Sequence, residues 1–331
     1  MEKRKLGKTE LAITPVTFGA WAIGGWMWGG ADKKDAIEAL HTSLDIGITT
    51  IDTAPVYGFG RSEEIVGEAI KGKRRDKIQI LTKYGLRWDI EDGKFFFESK
   101  DNDGNPIKIY KYASADSIVK ECEESLRRLG TDYIDLYQIH WDDPTTPIDE
   151  TMKAVDKLLK DGKIRYAGVC NYNVDQMTQA SSDIPLASNQ VPYSMVLRDI
   201  EQDVVPWCMD KDVGILAYSP LQRGVLTGKM KPDQKFNEGD HRAGMSFYQP
   251  ENIKRINAFL ENLNPIKEKY GITNPQMVLN WTLQQPGITT VLAGARNAKQ
   301  VKDNAGAAGF MLTRDEVETI NNELNKLTIT G

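Results

Sequence analysis

Asp132-Tyr133-Ile134-Asp135-Leu136-Tyr137-Gln138-Ile139-His140-Trp141 is a short, mostly apolar run, rich in β-formers, that ends on an imidazole. Seven other runs share its form, at residues 16–19, 50–52, 78–83, 164–170, 186–190, 214–219 and 289–294, with this one at 134–140. Between them lie stripes spaced by three and four: Ile37, Leu40 and Leu44 before Gly47; Ile118, Cys122, Leu126 and Leu129 before Gly130; Met152, Val155 and Leu159 before Gly162. That spacing marks one helical face, and glycine commonly follows a helix end. Near-continuous apolar strands alternating with helices predict an α/β fold with a parallel sheet under helices.

Eight such units build either an open doubly wound sheet or a closed barrel. The open sheet calls for Gly-x-Gly-x-x-Gly after a strand, and Gly58-Phe59-Gly60 fails it because Glu63 stands at the third glycine. In a closed barrel all strands end on one face, where the loops assemble a site. Here those ends carry Gly19, Asp52, Lys83, His140, Cys170-Asn171, Gln190, Tyr218-Ser219 and Gly294-Ala295-Arg296. The expectation is a (β/α)8 TIM barrel, a single domain over residues 1–331. Two long βα loops, about residues 86–112 and 221–250, should overhang the rim as lids or pocket walls. The short flanks around Gly7-Lys8 predict an N-terminal β-hairpin capping the opposite end.

Composition narrows the function. The 331 residues carry 42 basic and 47 acidic side chains, a net charge of −5, which offers no footprint for a nucleic acid. No apolar segment follows the first charges and none is long enough to span a bilayer, so a cytoplasmic protein without membrane contact is expected. Cys122, Cys170 and Cys208 form no Cys-x-x-Cys pair, and His41, His140 and His241 show no metal-ligand spacing, so no metal is expected.

Taken singly, the titratable residues at the strand ends have ordinary readings. Asp52 could cap a helix, Tyr57 pack a loop, Lys83 reach solvent and His140 serve structure. Their joint occurrence on strands two, three and four of one barrel changes this. An acid, a phenol, an ammonium and an imidazole are what proton transfer to a carbonyl oxygen needs. A phenol with a pKa of about 10 must be tuned to act near neutrality, and Lys83, itself held charged by Asp52, could lower it.

The segments Ile-Asp52-Thr-Ala-Pro-Val-Tyr57-Gly and Asp-Leu-Tyr-Gln-Ile-His140 resemble signatures of the aldo-keto reductase superfamily, most of all its bacterial stress-related and inositol-operon group. The resemblance implies that Asp52, Tyr57, Lys83 and His140 form the catalytic group, with Tyr57 as general acid/base in reversible hydride transfer. It further implies cofactor contacts at Gly19, Trp21, Asn171, Gln190, Tyr218, Ser219, Pro220, Leu221 and Lys229, with Arg223 and Arg242 as additions. Gly294, Ala295, Arg296, Gln300 and Asn304 match its adenine and 2′-phosphate segment. Arg296 and Lys229 together favour NADP(H), because a dianionic phosphate wants fixed cations. Cys170 stands where the family usually has serine, which weakens one carboxamide contact. Trp26, Trp28, Trp88 and Trp141 would line an apolar pocket for a small carbonyl or alcohol substrate. Two other readings stay open: a cofactor-sensing regulatory subunit resembling potassium-channel β subunits, and a lyase or isomerase forming a Schiff base at Lys83. The oligomeric state is not legible.

Overall fold

Eight parallel strands close on themselves in sequence order: Val16–Gly19, Thr50–Asp52, Gln79–Tyr84, Ile134–Ile139, Ile164–Cys170, Leu186–Pro192, Gly214–Tyr218 and Ile288–Gly294. This computed structural model describes residues 1–236 and 240–330. The eighth strand returns to the first, Val291 opposite Val16 and Gly294 opposite Gly19. Two buried threonines stitch the seam: the Thr17 and Thr290 hydroxyls lie 2.8 Å apart, and Thr290 also donates to Thr14 O at 2.8 Å. The expected (β/α)8 barrel is therefore present, and the observed strands differ from the expected ones by a residue or two at their ends.

The helices follow the predicted stripes. Lys33–Asp45, Ala115–Leu129 and Ile148–Lys160 end shortly before Gly47, Gly130 and Gly162, all three at positive φ. The last helix, Arg314–Lys326, starts on a capping box between Thr313 and Glu316. Among the described residues no helix is long and apolar enough to cross a membrane.

Strand alternation divides the core in two. Phe18, Ile51, Ile80, Tyr137, Val169, Ile215 and Val291 are buried with the helices in an outer layer. Leu81, Leu136, Leu216 and Leu292 cluster instead with Leu6, inside the barrel. Leu6 comes from the expected hairpin, in which Arg4–Lys5 pairs with Ala12–Ile13 and plugs the barrel floor. Gly214 makes room for it: a Cβ there would lie 2.3 Å from Leu6 Cδ1.

Both long loops sit on the rim. The first is more regular than expected. Leu86–Arg87, Lys94–Lys100 and Pro106–Lys111 make a three-stranded antiparallel sheet, ordered with Pro106–Lys111 in the centre. The second runs through short 3-10 turns, Gln222–Thr227, His241–Gly244 and Ser246–Tyr248, before the helix Pro250–Asn262. Residues 237–239 of that loop lie outside the described residues.

Candidate active site

Asp52 closes the second strand, and Lys83 lies near the end of the third. Lys83 Nζ donates to Asp52 Oδ1 at 2.6 Å and to Thr53 O at 2.9 Å. Their side chains are 0% and 3% exposed, and a buried ion pair is tolerated only when its remaining valences are met. They are met here: Gln190 Nε2 donates to Asp52 Oδ2 at 2.8 Å, and Gln138 Nε2 approaches the same oxygen at 3.5 Å. Gln138 is a component the sequence reading missed, although an amide amid apolar strand residues was a signal.

Above this layer stands Tyr57, on the loop after the second strand. The loop is held by a glycine pair: a Cβ on Gly24 would lie 2.5 Å from Tyr57 O, and one on Gly58, at φ +70°, 2.3 Å from Gly24 O. Lys83 Nζ lies 4.9 Å from the Tyr57 ring centroid, and the His140 ring meets Tyr57 edge-on at 5.6 Å. His140 itself follows the fourth strand, its backbone N–H donating to Tyr84 O at 2.9 Å.

Burial pushes the Tyr57 phenol up to about 12, and the pull of Lys83 in the opposite direction offsets only part of this. Lys83 acts in the expected direction, but in the protein by itself desolvation outweighs it. For Lys83, burial pulls downward, but Asp52 and then Tyr57 outweigh it, so the pKa is raised and the group is an ammonium. Burial and then Lys83 hold His140 well below the usual imidazole range, so it is neutral. Cys170 is buried and its thiol pKa is raised by desolvation, which makes it a poor nucleophile.

Tyr57 and His140 open onto a cavity of about 680 Å³ that runs along the rim to Arg296. Every residue expected to touch a cofactor lines it, from Gly19 and Trp21 through Ser219, Pro220 and Leu221 to Gly294, Ala295, Gln300 and Asn304. Trp26, Trp28 and Trp141 line it too, but Trp88 does not. That indole packs on Phe59 at 5.5 Å and borders an outer groove with Asp89 and Glu91. The first rim loop instead contributes Phe96 and Phe97, which the sequence reading did not single out.

The amides expected to hold a carboxamide are already engaged. Asn171, at φ +59°, accepts from the Tyr218 hydroxyl at 3.0 Å and donates to His140 O at 3.0 Å. The Gln190 nitrogen is spent on Asp52. The basic residues differ among themselves as well. Arg242 is forked onto Asp240 at 2.6 and 2.9 Å, so its charge is compensated and it is a weaker anion site than expected. Arg223, Lys229 and Arg296 line the cavity with no ion pair among the described residues. Arg223 lies 5.6 Å from the Trp21 ring centroid, and its buried Nε has no partner. An uncompensated guanidinium in a cavity wall fits an anionic group, and the three cations together fit a long polyanionic ligand reaching the helix start at Ala298–Ala305.

Comparison with known proteins gives one consistent picture. The model of the Aldo/keto reductase family matches residues 15–325. The chain is similar to aldo-keto reductase YhdN of Bacillus subtilis, 40% identical over 97% of this chain and 93% of that one. It is 35% identical to the NADH-specific methylglyoxal reductase of Escherichia coli, over 95% of each. Among solved structures, the glycerol dehydrogenase of Gluconobacter oxydans superposes with a TM-score of 0.88 at 38% identity, over 100% of this chain and 97% of the other. An aldo/keto reductase of Klebsiella pneumoniae, solved with NADP and acetate, superposes with a TM-score of 0.72 at 26% identity, over 100% of both chains.

Proposed function

Because this chain belongs to the aldo/keto reductase family, we propose that it reduces aldehydes and ketones to alcohols with NADP(H), reversibly, as one barrel domain with Tyr57 as the general acid. The observation that carries this reading is the buried Lys83–Asp52 pair beneath Tyr57 and His140, at the head of a cavity whose far end bears cations with no ion pair among the described residues.

A nicotinamide bound in that cavity supplies the hydride that no side chain can give. The chain's own groups do the rest. Asp52, held by Gln190, keeps the Lys83 ammonium charged and fixed. Neutral His140 donates a hydrogen bond to the carbonyl oxygen and orients it toward the phenol. Tyr57 gives its proton to the developing alkoxide, and the ammonium beside its ring stabilises the phenolate left behind. Phe96, Phe97, Trp26 and Trp141 wall the reacting carbon off from water. Trp21 and Tyr218 would bracket the nicotinamide, and Asn171 would trade a present partner for its carboxamide.

Arg296, Lys229 and Arg223 favour the phosphorylated cofactor, as does the NADP bound to the Klebsiella relative. The Escherichia coli relative is described as NADH-specific, so the preference is open to direct test. Purified protein assayed with methylglyoxal and 4-nitrobenzaldehyde should oxidise NADPH at higher kcat/KM than NADH. Equal or better turnover with NADH overturns the cofactor assignment. Tight NADPH binding without turnover overturns the enzymatic one and leaves a cofactor sensor.

A further inference from the structure

The strand Lys94–Lys100 of the first rim loop carries one residue more than its ladder can pair. Phe95 stands opposite Tyr110 and Phe97 opposite Ile109, neighbours in the central strand, which leaves Phe96 without a partner. In a regular strand successive side chains face opposite ways, whereas a bulge of this kind bends the strand and re-aims them. Phe96 and Phe97 accordingly both line the cavity, their rings T-shaped at 5.0 Å, while Phe95 lies outside against Tyr110.

A ring released from the ladder needs something else to hold it. Phe96 leans on Trp141, the residue after His140, with centroids 5.4 Å apart. Over both rings stands the ammonium of Lys111, which ends the central strand Pro106–Lys111. Its Nζ lies 4.6 Å from the Phe96 centroid and 5.0 Å from that of Trp141. Among the described residues Nζ makes no ion pair and no hydrogen bond; Asp142 feels its charge without pairing with it. An ammonium set over two aromatic faces is attracted by both, and the attraction grows as water is shut out. The tip of the same sheet is tied down separately. Asn102 Nδ2 donates to Gly58 O at 3.0 Å, beside Tyr57, and Trp26 Nε1 donates to Ser99 Oγ at 3.0 Å. The sheet is thus pinned to the Tyr57 loop at its tip and, beside His140, through Lys111.

We propose that Lys111 is a positioning residue that sets substrate specificity: its ammonium holds Phe96 against Trp141 and so fixes the apolar wall on which the body of a bulky carbonyl substrate rests. The proposal rests on the carbonyl-reductase reading above and adds to it a residue that does not itself line the cavity.

Two variants separate charge from bulk. Lys111→Met keeps a long apolar side chain and removes the ammonium, whereas Lys111→Arg keeps a cation. With NADPH, Lys111→Met should raise the KM for 4-nitrobenzaldehyde about fivefold, and should leave its kcat and both constants for acetaldehyde within about twofold. Lys111→Arg should stay within about twofold of wild type throughout. In a Phe96→Leu background Lys111→Met should add less than about twofold, because the ring it acts through is gone. An unmoved KM for 4-nitrobenzaldehyde, an equal loss on both aldehydes, a loss in Lys111→Arg as large as in Lys111→Met, or full additivity with Phe96→Leu overturns the role. Failure of the reductase reading shows differently, as no turnover of any aldehyde by the wild type. Limited chymotrypsin digestion then still decides. Cleavage after Phe96 and Phe97, followed by mass spectrometry, should be about fivefold faster in Lys111→Met than in wild type and unchanged in Lys111→Arg. Equal rates in Lys111→Met and wild type overturn the proposal.

Discussion

Two levels of the barrel interior, one strand step apart, are built from opposite materials. At the floor Leu81 and Leu136 pack with Leu216, Leu292 and the hairpin's Leu6. Two residues further along the same strands, about 7 Å higher, come Lys83 and Gln138, joined to Asp52 and Gln190 by hydrogen bonds. The lower level needs only shape and apolar area. The upper level holds an ion pair away from water, which is stable only while each member keeps its partners. The contrast teaches that the fold invests its tolerance below and its specificity above, and substitutions should divide accordingly.

The largest effect is expected where the polar level is broken. Lys83→Met leaves Asp52 buried and uncompensated, which should cost about 3–5 kcal/mol in chemical denaturation and remove turnover. Adding Asp52→Asn should restore most of the stability and none of the activity; a double variant as unstable as the single one would contradict the pairing. Next, Tyr57→Phe should lower kcat about 10³-fold with NADPH affinity and melting temperature little changed. Retained turnover would remove the phenol from the reaction.

The floor should respond in the reverse sense. Leu6→Ala is expected to cost about 2–4 kcal/mol of stability with kcat held near wild type at low temperature. A large kcat loss in a still-folded variant would show that the two levels are coupled. Away from both, Arg296→Ala should raise the KM for NADPH about tenfold and leave that for NADH nearly unchanged, measured by initial rates. Last comes an expected absence of effect. Because His140 is held well below the usual imidazole range, kcat/KM for reduction should show no limb between about pH 6 and 8. A limb near the ordinary imidazole value that disappears in His140→Gln would contradict the buried, neutral assignment.

The barrel was legible because its strands are short apolar runs and its helices carry clean stripes ended by Gly47, Gly130 and Gly162. Asp52, Lys83 and His140 were legible because charged or titratable groups at the tips of buried strands have few ordinary uses. What escaped the sequence reading lies mainly in the rim loops, where no period distinguishes inside from outside. Lys94–Lys100 carries three consecutive phenylalanines between lysines, and only the tertiary fold decides that Phe96 and Phe97 face the cavity while Phe95 is 46% exposed. Trp88 was misplaced for the same reason. His241, considered in the sequence only for metal-ligand spacing, stands in the second rim loop with its ring 5.2 Å from that of Trp21. The pull of Lys83 on the Tyr57 phenol was legible, but the larger opposing effect of burial is something a sequence does not display.

The seam between the first and last barrel strands has a consequence for biosynthesis. Val16 leaves the ribosome long before its neighbour Val291 is translated, so the cylinder cannot close until the whole stretch between the two has been made. Until then the nascent sheet has two open edges and an unsealed interior, the state in which polypeptides adhere to one another. Truncation before the last strand therefore yields a client for chaperones and proteases rather than a weakened enzyme.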